Sequence, residues 1–488
     1  MGYEAIMNEK FLKTAEELKP KLKRRTHCVS GEYILGENDC AVYDFGDHFV
    51  GYLKLYFSTV GAHFDAPALL KVKFCENRQE IDEDTSAYHG WISKGWLQEE
   101  IIHIDEFPCA YSFKRRYAFR YVKIEVIAVS PKYKLKAEKA EVRSLTSAKS
   151  TMKLSGGDKL EKAIDKVALK TLSECMQYEF EDGPKRDRRL WLGDLRLQAL
   201  TNYYTFKEND LVKRCLYLFA ATADEEGNIS QCVFTKPEVA PDDTSMFDYS
   251  LLFIPTLYDY FKATGDKNTA KELLPLAKKQ IEIAKKQFDG DVIRDCDRLG
   301  WCFLDWSLEL NKQAGAQAVY IYAEKSLIAL LRELKEDCAD YEKDVVLKSK
   351  AATEKFYDGE KGLFTSGENG QISYATNVWY ALAEVFGKEE NALLLGRLKD
   401  HDEAIKPVTP YMMHHYVEAL IQSGLEGEGR KVLRDYWGGM VNEGADTFFE
   451  LYNPDNPDES PYGGKAVNSY CHAWSCTPSY FLRKYYEK

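Results

Sequence analysis

From residue 26 to about residue 148 apolar and polar positions alternate with a period of two. Leu70, Val72 and Phe74 share one face with Lys71 and Lys73 on the other, and Val122, Ile124 and Val126 repeat the pattern. Short runs such as Glu32-Tyr-Ile-Leu and Gly51-Tyr-Leu-Lys-Leu-Tyr-Phe, divided by Gly, Asn and Asp, predict antiparallel strands packed as a sandwich. The acidic stretch Glu80-Ile-Asp-Glu-Asp84 reads as a solvated loop between them. Beyond about residue 155 the period becomes that of a helix: Leu327, Leu330, Leu331 and Leu334 fall on one face at i, i+3, i+4 and i+7. Helix pairs are predicted around four polar turns, Phe206-Lys-Glu-Asn-Asp, Thr264-Gly-Asp, Phe386-Gly-Lys and Ser423-Gly-Leu. Their spacing is broken by long insertions, Gln231 to Met246 and Phe288 to Asp305. A closed ring of helical hairpins with long loops on one rim therefore fits better than a solenoid of equal repeats.

Composition narrows the picture. At 488 residues, 45% of them hydrophobic, the chain exceeds what one core usually organises. The change of period divides it into residues 1–150, a helical segment followed by the β-sandwich, and residues 151–488, the helical ring. A net charge of −12, with lysines spread among carboxylates, excludes a generic nucleic-acid surface. The basic run Lys21 to Arg25 reads as a solvated helix end. No apolar stretch is long enough to span a membrane, and Met1-Gly-Tyr-Glu-Ala lacks a secretory pattern. Ile6 stands where myristoylation at Gly2 would need Ser or Thr. Twelve scattered cysteines without Cys-x-x-Cys suggest reduced thiols in a cytoplasmic protein. Cys471 and Cys476 flank His472, but small buried residues are the simpler reading. There is no glycine-rich phosphate loop and no His-x-x-x-His, so neither cofactor nor metal is expected.

Candidate chemistry concentrates in the helical half. Asp182-Gly-Pro-Lys-Arg186-Asp187-Arg-Arg-Leu-Trp191-Leu-Gly-Asp194 places three carboxylates at offsets of five and twelve, among three arginines and a tryptophan. Further clusters are Glu238-Val-Ala-Pro-Asp242-Asp243, Asp297 to Trp306 with Trp301 and Asp305, Gly444-Ala-Asp-Thr-Phe-Phe-Glu450, and Asn468 to Trp474 with His472. Carboxylates and Arg bind sugar hydroxyls while indoles cover the C–H faces of the ring. Glycoside hydrolysis also needs two carboxyl groups, one protonated and one ionised. Other readings of the same residues are structural: Trp306 and Trp379 as core, Asp305 as a local cap, His472 as a hydrogen-bonded core histidine, and the arginines as braces for the loop.

Asp182-x-Pro-x-Arg186-Asp187 followed by Leu-Gly-Asp194 resembles the acidic signature of bacterial α-L-rhamnosidases of glycoside hydrolase family 78. Gly444 to Glu450 resembles that family's Gly-Ala-Thr-Thr-x-x-Glu segment, and Asn468 to Trp474 the Asn/His stretch after it. The resemblance implies a β-sandwich followed by an (α/α)6 six-hairpin barrel, covering roughly residues 30 to 482. It further implies Asp187 as general acid and Glu450 as the base that activates water in an inverting reaction. Asp182 and Asp194 would hold substrate hydroxyls, with Arg186, Trp191, Asp243, Trp301, Asp305, Trp306, His472 and Trp474 as further substrate contacts.

Some positions depart from the family pattern. Asp187 stands where Glu is commoner, about 1.5 Å shorter in reach, so Glu181 and Glu179 are alternative acids. Gly183 replaces a common Cys, and Trp191 follows Leu190 without an intervening Gly; with that Gly kept, the acid would align at Arg188. A further β-domain after the barrel, common in the family, is not expected here.

The expected function is release of terminal α-L-rhamnose from small glycosides or oligosaccharides, with no nucleic-acid or membrane partner. Another carbohydrate-active enzyme on the same barrel and a non-catalytic carbohydrate-binding relative are the alternatives.

Overall fold

The computed structural model describes residues 7–149, 152–456 and 459–487. The expected boundary at 150/151 and the N-terminal hexapeptide both fall outside the described residues. A helix Glu9–Glu17, capped by the Asn8 side chain, comes first and packs on helix Asn209–Ala221, where Asn8 N donates to Ala221 O at 2.9 Å. The basic run does not end this helix. Lys23 already begins strand β1, because alternation from Lys23 onward suits an extended chain.

Seven strands follow: β1 (Lys23–Leu35), β2 (Cys40–Gly61), β3 (Ala68–Cys75), β4 (Glu99–Ile104), β5 (Cys109–Ser112), β6 (Tyr117–Ala128) and β7 (Tyr133–Thr146). All pairs are antiparallel, in the order β1-β7-β2-β6-β3-β4, with β5 also on β2. The register sets Leu70 opposite Val126, Val72 opposite Ile124 and Phe74 opposite Val122, so the predicted apolar face is shared across strands and buried in one core. The opposite face is only partly open. Lys73 is buried and donates to Glu83 O at 2.7 Å.

The acidic stretch after β3 is not simply solvated. Glu80 is buried, accepts from the amides of Glu76 (2.7 Å) and Asn77 (3.0 Å), and pairs with Lys185 of the helical region. An isolated carboxylate would not be buried; this one is satisfied by a cation from a distant segment.

The remainder is helical. All four predicted turns join helix pairs: Leu192–Tyr204 with Asn209–Ala221, Phe247–Thr264 with Lys267–Lys285, Tyr374–Leu382 with Lys388–Lys399, and Pro410–Gln422 with Glu426–Asn442. Gly265 ends its helix at φ +69°, a conformation that favours glycine. The leucine stripe at 327, 330, 331 and 334 lies buried on helix Gln313–Leu334. The two long insertions contain short strands and a one-turn helix, Cys296–Leu299. No helix among the described residues is long and apolar enough to cross a membrane.

Candidate active site

After helix Lys159–Cys175 the chain turns back on itself around the Asp182 carboxylate. Its Oδ1 accepts from the amide of Arg189 at 3.0 Å and its Oδ2 from that of Asp187 at 3.3 Å, while Asp182 N donates to Arg189 O at 3.0 Å. The Gly183 position is set by this closure: a Cβ there would stand 2.6 Å from Arg186 O. Leu190–Trp191 then pairs with Cys232–Phe234, and helix Leu192–Tyr204 begins with Asp194 in its first turn.

Residues 446–456 and 459–474 meet this loop. Ala473 N donates to Asp182 O at 2.7 Å, and His472 N to Phe448 O at 2.9 Å. The Glu450 side chain accepts from Arg186 Nη2 at 2.5 Å, from Ser469 N at 3.1 Å and from the Tyr462 hydroxyl. Arg186 also stacks on the Tyr462 ring at 4.2 Å, and its Nη1 lies 3.8 Å from Asp187 Oδ1. One guanidinium, about 2.3 Å across its terminal nitrogens, thus spans the two carboxylates. Asp187 Oδ1 and Glu450 Oε2 can be no more than about 9 Å apart on these bond lengths.

The arginines do not brace Asp182 or Asp194. Arg188 turns away, donating from Nε to Pro184 O at 2.8 Å with its guanidinium 5.8 Å from the Trp96 ring centre. Arg189 reaches towards Asp242 at 3.7 Å and stacks on Phe234.

The electrostatics divide these groups. Burial, reinforced by the nearby Asp187 charge, pushes Asp182 up to about 8 against the pull of its backbone donors. Burial and the Asp182 and Glu450 charges push Asp194 well up. Burial would also raise Glu450, but Arg186 above all, with His472 and the Tyr462 hydroxyl, holds its carboxyl below the usual range. His472 is pushed down to about 4 by burial. At neutral pH Glu450 is therefore ionised, Asp182 is mostly protonated and His472 is neutral. The His472 ring lies between the two aspartates, 3.6 Å from Asp194 Oδ1 and 4.0 Å from Asp182 Oδ2, and packs on Trp474.

These groups line a cavity of about 340 Å³. It brings together Asp182, Arg186, Asp187, Trp191, Asp194, Trp301, Trp306, Glu450, His472 and Trp474, ten of the residues expected from sequence. Three buried polar atoms of the wall, Trp191 Nε1, Asp194 Oδ1 and His472 Nδ1, have no hydrogen-bond partner among the described residues and can serve ligand hydroxyls.

Two expected contacts are elsewhere. Asp243 is exposed on the insertion and does not line the cavity. Asp305 is buried with its carboxylate accepting from Trp306 N, Val408 N, Thr409 N and Thr409 Oγ1 at 2.7–3.1 Å, so it anchors the start of helix Pro410–Gln422. The alternative acids also point away: Glu181 is held in two bonds by Arg116, at 3.0 and 2.7 Å, and Glu179 accepts from Thr235. Cys471 is buried and does not line the cavity, and Trp379 is core.

Sequence reasoning missed Tyr462, Tyr249, Phe303 and Arg189, and above all Trp91, Ile92, Ser93 and Trp96, which the sheet-rich region contributes to the cavity. The Gly-Trp-Ile-Ser-Lys-Gly-Trp run at 90–96 interrupts the strand alternation, and that irregularity was the available signal.

Comparison with known proteins identifies the family of both regions. Residues 14–144 match the glycosyl hydrolase family 78 alpha-rhamnosidase N-terminal domain, and residues 149–486 match the bacterial alpha-L-rhamnosidase 6 hairpin glycosidase domain. Among solved structures, a rhamnosidase from Klebsiella oxytoca with rhamnose bound is 43% identical, with a TM-score of 0.95 over 98% of this chain and 99% of that one. A family 78 rhamnosidase from Bacillus sp. GL1 is 22% identical, with a TM-score of 0.79 over 93% of this chain and 47% of that one. An α-L-rhamnosidase from Streptomyces avermitilis complexed with L-rhamnose is 15% identical, with a TM-score of 0.69 over 95% of this chain and 44% of that one. The last two likenesses concern the fold. No curated protein matches the chain.

Proposed function

The chain belongs to the bacterial α-L-rhamnosidases of glycosyl hydrolase family 78, and from that premise we propose that it releases terminal α-L-rhamnose from small glycosides by single displacement. The observation that carries this reading is the meeting of Asp187 and Glu450 on either side of Arg186, two carboxylates brought together from opposite ends of the helical region. Asp187 donates the proton to the leaving oxygen. Glu450, kept ionised by Arg186, takes a proton from the attacking water. The upper limit of about 9 Å between these oxygens is compatible with the roughly 6.5–9.5 Å of inverting enzymes, and the configuration of the first product tells this course from the retaining one.

Asp182, mostly protonated at neutral pH, both donates to and accepts from sugar hydroxyls, which an ionised carboxylate does not, and Asp194, its carboxyl pushed up as well, lines the same cavity. Trp474 and Trp306 supply apolar faces for the ring and its C6 methyl. An N-terminal helical segment and a β-sandwich make up residues 1–150, and the hairpins close into an (α/α)6 barrel on residues 151–488. The protein acts in the cytoplasm.

A panel of aryl glycosides tests the assignment. Release from the α-L-rhamnoside with an initial product of inverted configuration is expected. Release from other sugars but none from α-L-rhamnoside would overturn it.

A further inference from the structure

We infer that the sheet-rich region builds the leaving-group subsite, in which Trp91, with Trp96 and Trp301, receives a planar aromatic aglycone. The inference rests on the proposed function, because the acid protonates the leaving oxygen and so marks the side on which the aglycone lies.

That side is the mouth of the cavity. Asp187 has a side-chain exposure of 19%, against 2% for Glu450. Around it the lining becomes exposed and aromatic: Trp91 is 65% exposed and Trp301 46%. Trp96 lies under the guanidinium of Arg188, the residue that follows Asp187. Both exposed indoles line the same cavity, so their free faces are available to a bound ligand.

The segment bearing Trp91 is fixed, not loose. Tyr88 donates its hydroxyl to Tyr462 O at 3.1 Å, and Trp91 Nε1 donates to Pro461 O at 2.8 Å. Gly90 sits so close that a Cβ would stand 1.8 Å from Tyr462 O. The Trp91 ring is therefore held in place against the same Tyr462 that donates to Glu450, and binding a flat partner costs little ordering.

The polar content of the rim selects the kind of aglycone. Apart from Asp182, Arg186, Asp187, Asp194, Glu450 and His472, the polar groups of the lining are few: the Ser93 hydroxyl, Gln231, and Arg189, which stacks on Phe234 with a terminal nitrogen 3.7 Å from Asp242. A sugar in this position would leave most of its hydroxyls without protein partners, whereas an aryl ring stacks on the indoles.

The test compares kcat/KM for an aryl α-L-rhamnoside, methyl α-L-rhamnoside and a rhamnosyl-glucose disaccharide in the full-length protein and in Trp91→Ala, Trp301→Ala and Trp91→Phe. The ratio of aryl to methyl activity is expected to fall about three- to ten-fold in each alanine variant, mainly through KM, as loss of one aromatic contact implies. Trp91→Phe should keep most of it. Comparing ratios between variants cancels the intrinsic reactivity of the aryl leaving group. An unchanged ratio, or a larger loss on the disaccharide than on the aryl glycoside, overturns the inference and leaves the rhamnosidase reading intact. A wild-type protein inactive on all three substrates overturns both.

Discussion

Arg186 grips Glu450 at 2.5 Å while its other terminal nitrogen lies 3.8 Å from Asp187, so one buried cation serves both carboxylates of the proposed reaction. Its main effect is on the base, since burial alone would raise the Glu450 carboxyl. Replacing Arg186 with Gln removes the opposing charge. The acidic limb of the kcat/KM–pH profile is then expected to move to higher pH, because more of Glu450 is protonated at a given pH. Loss of one partner of a buried pair should also cost about 3–5 kcal/mol of stability in denaturant titration. An acidic limb that stays in place would remove Glu450 from the role of base.

Asp187→Asn and Glu450→Gln keep the shapes of the two side chains and remove proton transfer. Turnover should fall by about 10²–10⁴-fold in each, with rhamnose affinity by calorimetry within a few-fold of wild type. Full activity in either variant would show that the pair has been assigned wrongly.

Asp182 gives a linkage prediction with a definite sign. Its carboxyl is at about 8 in the folded protein against an ordinary value of 3.8. Between those values the folded chain binds a proton that the unfolded chain has lost, so this group makes stability fall as pH rises from about 4 to about 8. Asp182→Asn removes the term. Its stability relative to wild type should improve steadily from pH 5 to pH 8 in parallel urea titrations. Curves that stay parallel would mean that Asp182 is ionised throughout.

The sheet-rich region holds the Asp182–Asp194 loop through Arg116 and Glu181, which directly precedes Asp182. Arg116→Met strands a buried carboxylate and should destabilise by about 3–5 kcal/mol. Adding Glu181→Met removes the stranded charge and should recover much of the loss. If the double variant is no better than the single, the cost lies in packing and not in the charge.

Asp305 separates support from contact. Asp305→Ala deprives Val408 and Thr409 of their acceptor, a loss of roughly 2 kcal/mol at the upper end for a helix cap. KM for a rhamnoside should stay within about two-fold. A large rise in KM without loss of stability would return Asp305 to the substrate pocket.

The periods of two and 3.6 along the chain carried the order of strands and helices, and the polar turns carried the four hairpins, because local geometry answers to local patterning. The spacing of Asp182, Asp187 and Asp194 marked one wall of the site in the same way. What the sequence determined by itself was therefore which residues could do the chemistry on each segment. Only the tertiary structure decided which of them meet. Asp243 and Asp305 sit in acidic, aromatic segments like the others, yet one is left on the surface and the other is spent on backbone amides. Glu80 looked solvated because its partner, Lys185, lies over a hundred positions away. Trp91 reaches the cavity because a glycine lets its segment press on residues 461 and 462. Burial and charge pairing depend on distances in space, and no local pattern encodes them.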